Sequence, residues 1–229
     1  MKLADKVSPG FDEELIHKMR TTVKKMRAIA VWTGSSKKEI FRNYYRLSGK
    51  IRNVQILLKK ISNSEYDVPG PFTDWLRGML HHLKVEWQEK YDKEKMEKQF
   101  RELRKSIQVR KHKSNPIKFA EEKNNKFSLL KNERPLSDDQ IHSGRKTMKE
   151  IDYLNKWENK NSDEGMKKLS DETGQFMDSI SAIKLLEQYI KQEGDETNRK
   201  DANALLTIWK KEKEHEKIKL MNNIDTLPG

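Results

Sequence analysis

Cysteine is absent from the sequence, which excludes disulfides and thiolate metal sites. No apolar run approaches the length needed to span a bilayer. No apolar, signal-like segment follows Met1. A cytoplasmic protein with no membrane partner is therefore expected. Alternating β-branched stretches are missing throughout, so no strand is predicted. There is no Gly-rich phosphate loop ending in GKS or GKT. A Glu-x-Glu-x-Lys signature is missing too. No nucleophile–base pair stands out. His82 and Glu86, with His81 beside them, make an i,i+4 pair, but two ligands without a third do not make a metal site. Neither an enzyme nor a cofactor is expected.

What remains is charge on helical periods. Hydrophobic residues are 34% and charged residues 37% of the 229 positions, a balance that suits long helices with wide solvated faces. Net charge is +12 and unevenly spread. Residues 1–62 hold 15 Lys/Arg against 5 Asp/Glu, net +10. Residues 63–135 hold 17 against 12, net +5, and residues 136–229 hold 16 against 19, net −3. A polyanionic partner docking on the first half is the physical implication.

The segment Ile16–Arg27 concentrates that implication. At about 100° per residue, His17, Arg20, Lys24 and Arg27 fall in a stripe about 80° wide and about 15 Å long. Leu15, Met19, Val23, Met26 and Ala30 fall roughly opposite, as a core-facing stripe. No acid within the row neutralises it by i,i+4 pairing. The pattern recurs 125 positions later: His142 matches His17, Arg145 matches Arg20, and Lys149 matches Lys24. At the same offset Trp157 matches Trp32, Gly174 matches Gly49, and Asp178 stands at Asn53. One ungapped offset over this span reads as an internal duplication.

Along the chain, helices are expected from Ser8-Pro9-Gly10 to about Trp32, and from Lys37 to Ser62 behind a Ser36/Glu39 capping box. The second has Tyr44, Leu47, Ile51, Val54, Leu58 and Ile61 inward. Arg42, Arg46, Gly49 and Asn53 lie on its polar side, with Arg52 at the flank. Gly49 in a helix interior costs about 1 kcal/mol, which implies close approach of a neighbouring helix or an anion. A third helix starts near Thr73, with Trp75, Met79, Leu83 and Trp87 inward; it runs as far as Lys105, as an exposed extension or through a bend. Residues 111–135 form a connector with room for a short helix. Ser137 caps a helix to about Glu158, Asn161-Ser162-Asp163 leads into another to about Gln192, and the last spans about Arg199–Asn222 with Ala202, Leu205, Leu206 and Trp209 inward. The expected fold is all-α: two pseudo-symmetric helical bundles, 1–110 and 136–229.

On these residues the chain resembles the CHAD family, the conserved-histidine α-helical domains. His17, Arg20, Lys24, Lys25 and Arg27 fit that family's pattern of a histidine followed by cations at plus three, seven, eight and ten. Gly49 and Arg52 fit its second helix, with Asn53 in place of Asp. In the second half His142, Arg145, Lys149, Tyr153, Gly174 and Asp178 fit, while Glu150, Asp152 and Met177 replace expected cations. The resemblance implies two bundles whose basic helices line a shared cleft. It also implies non-catalytic binding of inorganic polyphosphate and association with polyphosphate granules.

A cation row on a helix steps by about 5–6 Å every three or four residues, close to the repeat of a phosphate chain. Arg20, Arg27 and Arg52 offer forked donors, Lys24 and Lys25 point charges. Arg42, Arg46, His142, Arg145 and Lys149 complete the candidate site. The acidic replacements imply a site weighted towards residues 17–60. His17 and His142 either donate to phosphate or hold helices together. Nucleic acid is the rival partner, since its phosphates would use the same cations, but the stripe has no aromatic for base stacking. A scaffold for acidic proteins is the third reading.

Overall fold

The computed structural model describes residues 5, 7, 10–35, 41–64, 68–110, 118, 119, 121–123, 125, 135–157 and 164–225. Among the described residues all regular structure is helical. The principal helices are α1 (Glu13–Trp32), α2 (Arg42–Ser62), α3 (Gly70–Lys90), α4 (Lys93–Arg110), α5 (Asp138–Trp157), α6 (Glu164–Gln192) and α7 (Glu196–Asp225).

Local chemistry sets their limits. Asp12 caps α1, its Oδ1 accepting from Leu15 N at 2.8 Å, and Glu13 and Glu14 occupy the first turn, where the helix dipole favours acids. Gly34, at φ 64°, ends it; Ser35 N reaches back to Ala30 O at 2.8 Å, the glycine-terminated helix end that only a residue tolerant of positive φ makes easily. Ser137 and Gln140 form a reciprocal capping box for α5: Gln140 N donates to Ser137 Oγ at 3.2 Å and Ser137 N to Gln140 Oε1 at 2.7 Å. Asp195 caps α7 through Asn198 N. The Ser36/Glu39 box and Asn161-Ser162-Asp163 lie outside the described residues.

The expected third helix is two. It stops at Lys90, and Tyr91 takes an extended conformation, φ −73° and ψ 115°. A local and a tertiary contact hold it there. The Tyr91 ring stacks on Trp87, centroids 6.1 Å apart, and its hydroxyl donates to Asp5 at 2.6 Å. The chain re-enters helix at Lys93.

The helices assemble into two compact units, and each takes segments from both 1–110 and 136–229. Unit 1 comprises Met1–Thr21, Arg42–Lys93 and Asp178–Glu216; unit 2 comprises Thr22–Phe41, Glu94–Met177 and Lys217–Gly229. The core of unit 1 contains Ile16 and Met19 of α1, Tyr44, Leu47, Ile51, Val54 and Leu57 of α2, Phe72, Leu76, Leu83 and Trp87 of α3, Leu186 and Tyr189 of α6, and Leu205 and Trp209 of α7. Leu58, Ile61 and Leu206 are only half-buried. Unit 2 buries Val23 and Ala30 of α1, Met96 and Leu103 of α4, Ile141, Met148, Ile151 and Leu154 of α5, Leu169 and Phe176 of α6, and Leu220 and Ile224 of α7. No helix of the described residues is long and apolar enough to cross a membrane.

Candidate functional site

In unit 1, α1 supplies His17 and Arg20 and α2 supplies Arg42, Arg46 and Arg52. His17 is exposed. Arg42 and Arg46 are exposed as well, while Arg52 is half-buried. The Arg52 Nε is buried without a hydrogen-bond partner, a donor that water-free protein normally satisfies.

Arg20 does not project freely into solvent. Its Nη1 donates to Tyr45 O and, at 3.4 Å, to Ser48 Oγ. Its guanidinium lies 4.2 Å from the centroid of the Tyr45 ring, within cation–π range. Gly49 makes room for it: a Cβ at that position would stand 2.6 Å from Nη1. The glycine in mid-helix is therefore explained by the side chain of the neighbouring helix.

In unit 2, the second half of α1 supplies Lys24, Lys25 and Arg27, and α5 supplies His142, Arg145 and Lys149. Lys25 is exposed; the other five are half-buried. Arg145 repeats the behaviour of Arg20 at the offset of 125. Its Nε donates to Ser170 O at 3.2 Å, and Ser170 is the counterpart of Tyr45. A Cβ at Gly174 would stand 3.1 Å from Arg145 Nη2. Buried Ser48 and buried Thr173 occupy the residue before each glycine. Trp32 and Trp157, also matched at this offset, meet edge to face with centroids 6.3 Å apart.

His142 has a buried Nδ1 with no hydrogen-bond partner. Burial pushes its pKa below the usual histidine value, and the positive fields of Lys146, Arg145 and Lys24 push the same way, against a smaller opposing effect of Asp139. The imidazole is therefore neutral at pH 7, and an anion arriving nearby would favour its protonation.

Lys149 has an acid on it: Nζ lies 3.1 Å from Asp171 Oδ1, across to α6. Asp171 stands 125 residues after Arg46. Continuing the ungapped comparison through residues 46 and 171 reveals this charge reversal in the sequence itself. Glu150 pairs with Lys123, and Asp152 with Lys156 at 2.8 Å, so the acids that replace expected cations have partners of their own. Among the described residues no three His, Asp or Glu side chains cluster as metal ligands; Glu86 is bound to Lys90 at 2.5 Å. Comparison of the chain with protein-family models, curated proteins and solved structures returns no match.

Proposed function

We propose that the protein is a non-catalytic binder of inorganic polyphosphate, with a site weighted towards α1 and α2. The observation that carries this reading is the set of cations on α1 and α2, taken unit by unit: His17, Arg42, Arg46 and Arg52 in unit 1, and Lys24, Lys25 and Arg27 in unit 2. His17, Lys25, Arg42 and Arg46 are exposed, Lys24, Arg27 and Arg52 are half-buried, and residues 1–62 carry net +10. Phosphate groups offer the dense acceptor oxygens that forked guanidinium donors match. The recurrence of the arginine–glycine fit at one offset supports an internal duplication and the CHAD resemblance. On that reading the basic faces of α1 and α5 flank a cleft, and the protein is cytoplasmic and associates with polyphosphate granules.

Tyr45, an aromatic beside Arg20, already carries that guanidinium on its ring, which weighs against base stacking and thus against a single-stranded nucleic acid. Binding of long-chain polyphosphate in excess duplex DNA tests the proposal. Retained binding is the expected result. Equal competition would reduce the site to a general polyanion surface.

A further inference from the structure

The side of α6 that receives Arg145 and Lys149 also borders a small pocket. Lys149, Lys167, Asp152 and Ser170 line it, beside apolar walls that include Met148 and Met166. Two cations and a hydroxyl stand there with one carboxylate, Asp152, which Lys156 neutralises at 2.8 Å, and the Ser170 Oγ is buried with no hydrogen-bond partner. Yet Lys149 already holds a carboxylate. Its side chain is 23% exposed and that of Asp171 is 61% exposed, so the acid is the more solvent-exposed partner of the pair. The sequence 125 positions earlier has Arg46 in place of Asp171 and Lys24 in place of Lys149.

We infer that Asp171 is the residue that decides whether the α5–α6 pocket takes an anion: its carboxylate occupies Lys149 as a built-in substitute for a phosphate group. An incoming phosphate must displace that carboxylate and then bind beside it against like-charge repulsion. Removing one negative charge at about 5 Å changes an anion's affinity by roughly tenfold near a protein surface at low salt. The Lys149–Asp171 pair is itself a surface ion pair, worth about 0–1 kcal/mol, so its loss leaves the fold intact. Ligand choice rests on the proposed phosphate-binding function; the occlusion of Lys149 does not.

The test is titration calorimetry with inorganic tripolyphosphate at low salt on the wild type, Asp171→Asn, Asp171→Arg and the double variant Asp171→Asn with Lys149→Met. Asp201→Asn on α7, exposed and in the other unit, controls for net charge. Asp171→Asn is expected to tighten binding roughly tenfold or to add a second site, and Asp171→Arg more so. Adding Lys149→Met should abolish the gain, and Asp201→Asn should not reproduce it. A gain that survives loss of Lys149, or equals that of Asp201→Asn, overturns the inference. If the wild type binds and both Asp171 variants match it, the inference falls while the polyphosphate reading stands. If only the Asp171 variants bind, the inference stands and that reading falls. If none binds, both fall.

Discussion

At the scale of single residues, the two arginines that look like ligand contacts in the sequence are already engaged. Arg20 lies on Tyr45 and in the Gly49 notch, and Arg145 on Ser170 O beside Gly174. The two glycines should therefore respond differently to alanine. Either substitution gains about 1 kcal/mol of helix propensity. At position 49 the new methyl would sit 2.6 Å from Nη1 and expel the guanidinium, losing charge-assisted hydrogen bonds worth about 1.5–3 kcal/mol. Gly49→Ala is thus expected to destabilise by about 1 kcal/mol. At position 174 the contact is 3.1 Å, which a small shift of Nη2 relieves, so Gly174→Ala should be neutral or stabilising by up to about 1 kcal/mol. Urea unfolding of both variants checks the contrast; equal destabilisation would contradict it. His142 gives a pH signature. Its folded-state pKa lies below the free value, so the unfolded chain binds its proton first. Stability from this group is complete above about pH 6.5 and is lost as pH falls through the folded pKa. His142→Gln should flatten the acid side of the stability profile. A bound polyanion acts oppositely on the same imidazole, so polyphosphate affinity should rise as pH falls from 7.5 to 5.5, and less so in His142→Gln.

At the scale of elements, periodicity and end signals carry most of the information. Ser137 marks the start of α5, and Gln140 closes the box; Ser137→Ala should cost about 1 kcal/mol in urea unfolding, and no change would mean that the α5 start is held by packing alone. The end of α1 at Trp32 and of α6 at Gln192 are equally legible, because glycine or a short polar turn follows each. The break between α3 and α4 is legible only as one alternative, a bend where the sequence turns nearly all charged; its position is not. Tyr91 meets Trp87 one turn back and Asp5, 86 residues away in sequence, and no local pattern encodes the second contact. The burial of Leu57 rather than Leu58 likewise reflects which neighbour lies beside α2. For the candidate site, the cation row was readable from spacing, and the charge reversal at Asp171 was readable from the offset. That Arg20 folds back onto α2 was not, since a helical wheel gives a side chain's direction and not its partner. The α1 and α5 rows should differ in binding. Lys24→Ala with Lys25→Ala is expected to weaken polyphosphate binding at least tenfold and to lower the salt slope. Arg145→Ala with Lys149→Ala should change it less than threefold, because Asp171 already occupies Lys149. Equal losses in the two pairs would contradict a one-sided site.

At the scale of the whole molecule, the surplus of positive charge lies before residue 136, and the compact units do not follow that division. Each unit draws on both halves of the chain, so truncation at residue 110 would remove the 178–216 segment from unit 1 and expose Phe72 of α3, which Tyr189 and Trp209 contact. The charge asymmetry belongs to the sequence, and the cores belong to the full chain. Binding experiments therefore require the intact protein. The central claim is tested most directly by titration calorimetry of the full chain with long-chain polyphosphate, at two salt concentrations and with excess duplex DNA present. Tight binding that weakens steeply with salt, through counterion release, and that survives the DNA is the predicted result. Binding that is insensitive to salt, or no binding at all, would contradict it.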